Sequence, residues 1–305
     1  MSAAVAAVKA SRSGILAIDK PAGMTSFDAV RAVRRIFDER RVGHAGTLDP
    51  TATGLLPVCI GQATRLVDYF HQQSKTYHCV VRFGERSDTL DTEGEVLAGG
   101  DASGLTEQEV REAATMFVGD VEQVPPMYSA VRHQGKHLYE LARSGQEVER
   151  TARQVSIESI EVTAFRPGPR AEAEIEVVSG KGAYMRVLAA DIGERLGVGA
   201  LLGWLSRTAY GPLRVEDAVT PDALAEYPDP TVALLPMDRA VSFLPRVDLL
   251  PQPATMVGRG QSVWLPRPPA MTAGNQCRVH SADGRLIAIG EIAGNLLRPT
   301  KVLNN

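Results

Sequence analysis

The chain has 305 residues, 44% of them hydrophobic and 23% charged, with a formal net charge of −3. This composition excludes wholesale disorder, no apolar run approaches the roughly 20 residues of a membrane-spanning helix, and the charge excludes a uniformly basic nucleic-acid-binding chain. Cys59, Cys79 and Cys277 are widely spaced and never form a Cys-x-x-Cys pair, which fits a reducing compartment and argues against structural zinc.

Met1 to Ser13, Ala-rich with Lys9 and Arg12, reads as a frayed terminus and not a signal peptide. Gly14 to Asp19 reads as a buried strand, broken by Lys20-Pro21-Ala22-Gly23. Ser26 is the expected N-cap of a helix with Phe27, Val30, Val33 and Phe37 on its apolar face and Arg31, Arg34 and Arg35 off it. Gly43-His44-Ala45-Gly46-Thr47-Leu48-Asp49-Pro50 follows, too irregular for a core element. Its glycines permit close backbone approach and Pro50 biases Asp49 toward extended geometry. The loop is therefore expected to hold a carboxylate out at a cleft; the plainer alternative is an ordinary Asp-Pro turn.

Tyr77 to Phe83 alternates as a strand, with Tyr77 at its start. From Glu85 to Glu122 the charges are almost all acidic, opposed only by Arg86 and Arg111. Within this stretch Thr106 and Glu109 make a capping box ahead of Val110, Ala113, Ala114 and Phe117. Pro125-Pro126 stops the chain, and a basic segment carries Arg132, His133, Lys136, His137, Arg143, Arg150 and Arg153 around a short amphipathic piece at Tyr139, Leu141 and Ala142. His133 and His137 have the spacing of helical metal ligands, but Gly135 lies between them and no carboxylate completes a set, so no metal is expected.

Glu172 to Ser179 reads as a strand, turned by Gly180-Lys181-Gly182 into a helix that begins near Tyr184 and ends at Gly197-Val198-Gly199. After Leu244 helical patterns vanish. Short strands around Val263, Cys277 to His280 and Leu286 to Ile292 predict a small β-barrel, entered through the Pro-rich stretch from Pro245 to Pro253.

Six blocks stand out in order. They are Asp19 to Ser26, Gly43 to Pro50, Lys75-Thr76-Tyr77, Pro126-Met127-Tyr128-Ser129-Ala130, Ser179-Gly180-Lys181-Gly182-Ala183-Tyr184-Met185-Arg186, and Leu205-Ser206-Arg207. Together they resemble the bacterial tRNA pseudouridine-55 synthase family, from about Gly14 to the C-terminus. The resemblance implies an α+β catalytic domain over 10–245, whose mixed sheet carries the cleft, with an insertion over 127–150 that folds over RNA. A PUA-like β-barrel RNA-binding domain over 246–305 would follow.

The reaction implied exchanges the glycosidic C–N bond of a uridine in the T arm of tRNA for a C–C bond, needing neither cofactor nor metal. Asp49 matches the family's nucleophile, and Arg186 the cation that keeps it ionised as water is excluded. Tyr77 matches the residue that stacks on the base and receives its proton. Tyr184 and Leu205 match residues lining the uracil pocket, His44 the group that helps extrude the base, and Lys20 a support of the loop. Arg132, Lys136 and Arg143 would meet phosphates. A cytoplasmic monomer is expected. Two alternatives stay open: a non-catalytic RNA-binding or RNA-folding protein, and a glycosidic hydrolase with Asp19 or Asp91 as a second acid.

Overall fold

The computed structural model describes residues 13–268 and 275–303, so the reading of the first residues as a frayed terminus lies outside it but for Ser13. The strand β1 (Gly14–Lys20) leads into helix α1 (Ser26–Phe37), β2 (Val42–His44) and β3 (Thr53–Ile60). A 3-10 turn and the short α2 (Val67–Phe70) precede β4 (Lys75–Phe83), the paired β5 (Glu85–Ser87) and β6 (Val96–Ala98), α3 (Glu107–Thr115) and β7 (Gly119–Gln123). A small hairpin, β8 (Arg132–His133) and β9 (Lys136–His137), runs into α4 (Leu138–Arg143). Then come β10 (Arg153–Arg166), β11 (Glu172–Ser179), α5 (Met185–Arg195), β12 (Ala200–Tyr210), β13 (Leu213–Arg214) and α6 (Pro221–Ala225). The last elements are β14 (Arg246–Asp248), α7 (Pro251–Gly258), β15 (Val263–Trp264), β16 (Gln276–His280), β17 (Leu286–Ala293) and β18 (Leu296–Val302).

A nine-stranded sheet runs in the order β1-β3-β12-β4-β11-β10-β7, with β2 added to β3 and β13 to β12. The β3–β12 pair is parallel and its other pairs are antiparallel, so the sheet is mixed, as expected. At its centre β4 buries Lys75, Tyr77, Cys79, Val81 and Phe83, every second residue, on one face. Helices α1, α3 and α5 share one apolar cluster with the sheet. On the other face Ile15, Leu55, Phe70 and Tyr210 pack with Leu286, Ile289 and Leu303 of the C-terminal unit.

Two local expectations need correction. The N-cap of α1 is Thr25, whose side chain closes a capping box with Asp28, and Ser26 is the first helical residue. Phe27 is 54% exposed, beneath the guanidinium groups of Arg31 and Arg34 at 5.5 and 5.8 Å. The buried face is Ser26, Ala29, Val30, Val33 and Phe37, so the apolar face read from sequence was drawn too wide. His133 and His137 lie on facing strands of the β8–β9 hairpin, turned by Gln134 (φ 47°) and Gly135 (φ 88°), so helical ligand spacing does not apply to them. His137 instead stacks on Tyr139 at 5.2 Å with its Nδ1 2.9 Å from the Ala130 carbonyl.

The C-terminal unit is a curled five-stranded sheet, in the order β14-β16-β17-β18-β15, with its own core of Val247, Val257, Cys277, Val279, Ala288 and Leu297. Helical structure does not vanish after Leu244: α7 occupies Pro251–Gly258. Pro251 and Pro253 fall in its first turn, where a missing N–H loses no bond, so the prolines that read as a linker begin a helix. Asp238 accepts hydrogen bonds from Arg278 and from His280 Nε2 (2.8 Å), fastening this sheet to the preceding chain. Lys301 donates to the Arg65 carbonyl at 2.9 Å and lies 5.0 Å from the Tyr69 ring centre.

Candidate active site

Gly43 and His44 belong to β2 and pair with β3, so the irregular part of the motif is shorter than the sequence suggested. The remainder is pinned at several points. Ala45 N–H donates to the Pro57 carbonyl at 2.9 Å. Gly46 has φ 82°, and a Cβ there would come within 3.2 Å of the Tyr210 ring. Ser26 Oγ accepts from Leu48 N–H (2.9 Å) and donates to Leu48 C=O (3.1 Å), so the start of α1 grips the residue before Asp49. Lys20 is fully buried, and its ammonium donates to the carbonyls of Met24 (2.7 Å), Pro21 (3.0 Å) and Pro50 (3.2 Å). Burial pushes Lys20 down to about 8 against the pull of the Asp49 charge.

Held this way, the Asp49 side chain keeps 39% of its surface accessible, with Oδ2 3.0 Å from Arg186 Nε. Arg186 is buried near the start of α5 and its charge sits at the wrong end of that helix dipole. Carboxylates offset the misfit: Nε is also 3.6 Å from Asp91 Oδ2. The two terminal nitrogens donate to the Thr89 carbonyl (3.0 Å) and the Tyr128 carbonyl (2.8 Å). Asp91 is itself held, accepting from Thr89 Oγ1 (2.6 Å) and Glu93 N–H (3.0 Å). Leu90, between Thr89 and Asp91, adopts φ 64°, an unfavourable backbone conformation for a branched side chain at the point where two neighbours meet the guanidinium. Burial raises the Asp49 carboxyl above its ordinary range; Arg186 opposes that rise and Asp91 adds to it.

Tyr77 stands on the inward face of β4, with Arg207 of β12 at the paired register position. Burial raises the Tyr77 phenol and the Arg207 charge opposes the rise. Arg207 is 1% exposed, donating to the carbonyls of Leu55 (2.7 Å) and Gly46 (3.1 Å) with its guanidinium 5.1 Å from the Tyr210 ring centre. The His44 Nδ1 is buried without a hydrogen-bond partner among the described residues. Burial, then Arg207 and His71, lower its pKa and favour the neutral imidazole.

These groups surround a cleft of about 590 Å³, a size suited to a nucleotide-scale ligand. His44, Asp49, Tyr77, Tyr184, Arg186 and Leu205 all line it, whereas Lys20 lies behind the loop, outside the lining. Sequence reasoning gave no role to Arg207 or Lys75, although both lay in quoted blocks and both line the cleft. A charged residue on the inward face of an otherwise apolar strand was the available signal. The carboxylate of Asp91, the candidate second acid, faces Arg186 and is not among the residues lining this cleft. Among the described residues no group of three or more His, Cys, Asp or Glu side chains could hold a metal, and no helix is long and apolar enough to cross a membrane.

Residues 34–185 match the TruB family pseudouridylate synthase N-terminal domain, and residues 245–303 match the C-terminal domain of pseudouridine synthase II TruB. The chain is 42% identical over 287 residues to the tRNA pseudouridine synthase B of Saccharophagus degradans, covering 92% of each. It is 48% identical over 247 residues to the tRNA pseudouridine synthase B of Symbiobacterium thermophilum, covering 81% of this chain and 82% of that one. Among solved structures it superposes on a chain of the H/ACA RNP bound to a substrate RNA containing 2'-deoxyuridine with a TM-score of 0.75 at 23% identity, covering 97% of this chain and 86% of that one. A Cbf5-Nop10-Gar1 complex gives 0.74 at 26% identity, with 95% and 85% covered. With relatives at this identity over nearly its whole length, and a nine-stranded sheet that brings the expected aspartate, arginine and tyrosine to one cleft, the chain belongs to the TruB family of pseudouridylate synthases.

Proposed function

We propose that the protein converts uridine 55 in the T arm of tRNA to pseudouridine, with Asp49 as nucleophile. The observation that carries this reading is the 3.0 Å contact between Asp49 and a buried Arg186 in a cleft that faces solvent. An ion pair there keeps a desolvated carboxylate ionised, and only the ionised form attacks. In the reaction the glycosidic C–N bond breaks, a C–C bond forms to the same sugar carbon, the base carbon loses its proton, the freed nitrogen takes one up, and Asp49 is released unchanged. Atoms and electrons balance within the nucleotide, so no cofactor is called for.

Tyr77 offers a stacking face to the extruded base, worth about 1–3 kcal/mol, against an extrusion cost of a few kcal/mol. A neutral His44 at the rim and the walls from Tyr184 and Leu205 add to the hold. The Tyr77 phenol is favoured in its protonated form by burial, so it accepts the carbon-bound proton only as its own departs, and Arg207 is the group that favours the phenolate. Lys20 acts from behind the loop, holding the Pro50 carbonyl and opposing the rise of the Asp49 carboxyl with its charge.

We assign residues 10–245 to catalysis and 246–305 to RNA binding, a division supported by the separate hydrophobic cluster of the C-terminal sheet. The segment 127–150 presents Arg132, Lys136 and Arg143 to solvent, which suits a clasp on phosphates. Asp49, Tyr77 and Arg186, the groups the reaction uses, all come from the same chain, so a monomer suffices as the working unit. Three buried, unpaired cysteines suit the reducing cytoplasm. The hydrolase reading is disfavoured, because Asp91 is buried and held by Arg186, Thr89 and Glu93 rather than presented as an acid to the cleft.

Incubation with an unmodified tRNA transcript, followed by chemical mapping of pseudouridine, tests activity and position together. Asp49→Asn is expected to bind the transcript with affinity within about threefold and to form no product; residual turnover would remove Asp49 from the mechanism, and pseudouridine elsewhere would overturn the site assignment.

A further inference from the structure

We propose that Lys75 and Lys181, which line the cleft together with His71, form a socket there for a phosphodiester flanking the extruded nucleotide. This rests on the RNA-modifying reading above and adds a ligand contact to it.

The cleft carries a charge imbalance. Lys75, Arg153, Lys181, Arg186 and Arg207 line the cleft, and Asp49 is the one carboxylate among them. Arg186 is matched by Asp49 and Asp91. Arg207 is bonded to two carbonyls and faces Tyr77.

Lys75 has no comparable match. It lies on the inward face of β4, two residues before Tyr77, and is 7% exposed. Its ammonium donates to the Gln73 carbonyl at 3.1 Å and sits 4.6 Å from the centre of the Tyr210 ring, so two of its three N–H donors have no acceptor among the described residues. Lys181 is exposed in the turn between β11 and α5, with no ion pair among the described residues.

These cations repel one another. Burial, then Arg207 and Lys181, push Lys75 down to about 8. Burial, then Lys181 and Lys75, lower His71. The opposing carboxylates are Glu158 and Asp68, both exposed; Glu158 is bonded to Ser74, and Asp68 to Lys301 at 3.3 Å. Holding a buried ammonium against like charges is unfavourable. A phosphodiester reverses the sign, giving both ammonium groups an anionic acceptor beside the face of Tyr77. Phosphate contacts of this kind fix register without reading sequence.

The test uses the full protein and a T-arm stem-loop RNA carrying one neutral methylphosphonate linkage, placed either 5' or 3' of the target uridine. Wild-type protein is expected to lose about 10-fold in affinity with one of the two linkages. Lys181→Gln and Lys75→Gln are expected to bind the unmodified RNA about 5- to 10-fold more weakly and to lose nothing further with that same linkage. Lys75→Arg, which keeps the charge, should stay within about threefold of wild type. Lys181 is on the surface, so its variant tests the proposal even if the Lys75 variants fold poorly. Equal losses for wild type and Lys181→Gln with both linkages would overturn the socket while leaving the reaction standing. Absence of pseudouridine in the unmodified stem-loop with wild-type protein would overturn the parent reading instead.

Discussion

Replacing Arg186 with lysine keeps a positive charge and removes the planar fork. In the native site that fork makes three contacts at once: Nε to Asp49 at 3.0 Å and the terminal nitrogens to the carbonyls of Thr89 and Tyr128 at 3.0 and 2.8 Å. An ammonium cannot reach all three, and two buried carbonyls compete with Asp49 for it. Breaking a buried ion pair outright costs about 3–5 kcal/mol. Here the charge survives, and Asp49 keeps 39% of its side-chain surface accessible. The loss expected at Asp49, the proposed nucleophile, is therefore about 2–3 kcal/mol, or about 30- to 150-fold in kcat.

The direction with pH is fixed as well. Burial already raises Asp49, and weakening its cation raises it further. The ionised fraction then recovers as pH rises, so the acid limb of the pH–rate profile must move to higher pH and part of the lost rate must return. Single-turnover rates on a tRNA transcript from pH 5 to 9 measure this, with RNA binding within about threefold of wild type. A fall in kcat with an unmoved acid limb, or no fall at all, would refute the role given to Arg186.

Asp91→Asn is expected to move the same limb the other way, to lower pH, because it removes a negative charge that raises Asp49; an upward shift would contradict the electrostatic account. Tyr77→Phe keeps the stacking ring and loses the phenol, so binding should hold within about threefold while kcat falls about 100-fold or more. Unchanged kcat would exclude the phenol from proton transfer. Asp238→Ala leaves Arg278 and the buried His280 without their shared acceptor. It should cost about 2–3 kcal/mol and lower Tm by about 3–5 °C; a calorimetric shift below about 1 °C would show that this junction contributes little.

The elements legible in the sequence were those whose periodicity is clean. The alternation of β4, the capping box of α3 and the start of α5 beside Tyr184 all appear as read. β3 was not anticipated: Gly54 to Ile60 are all buried, with Pro57 inside, so nothing alternates. β10 is interrupted by register shifts at Ile157/Ser159 and Val162/Ala164, which break its two-residue period. In β12 the polar Ser206 and Arg207 obscure a strand at the centre of the sheet.

At the site, the motif blocks brought six of the seven named residues to one cleft. Arg207, Lys75 and the true surroundings of Asp91 depended on contacts across long sequence separations, which no local spacing encodes. The Arg207–Gly46 bond joins residues 161 positions apart.

The Tyr128 carbonyl that receives a hydrogen bond from Arg186 is the second residue of the basic segment beginning at Met127. That segment is thus tethered at its root to the cation gripping Asp49. It cannot swing there without snapping a 2.8 Å bond or dragging the guanidinium along. Motion of the outer arm and the charge on the carboxylate in the cleft are one mechanical unit, joined through a single planar group.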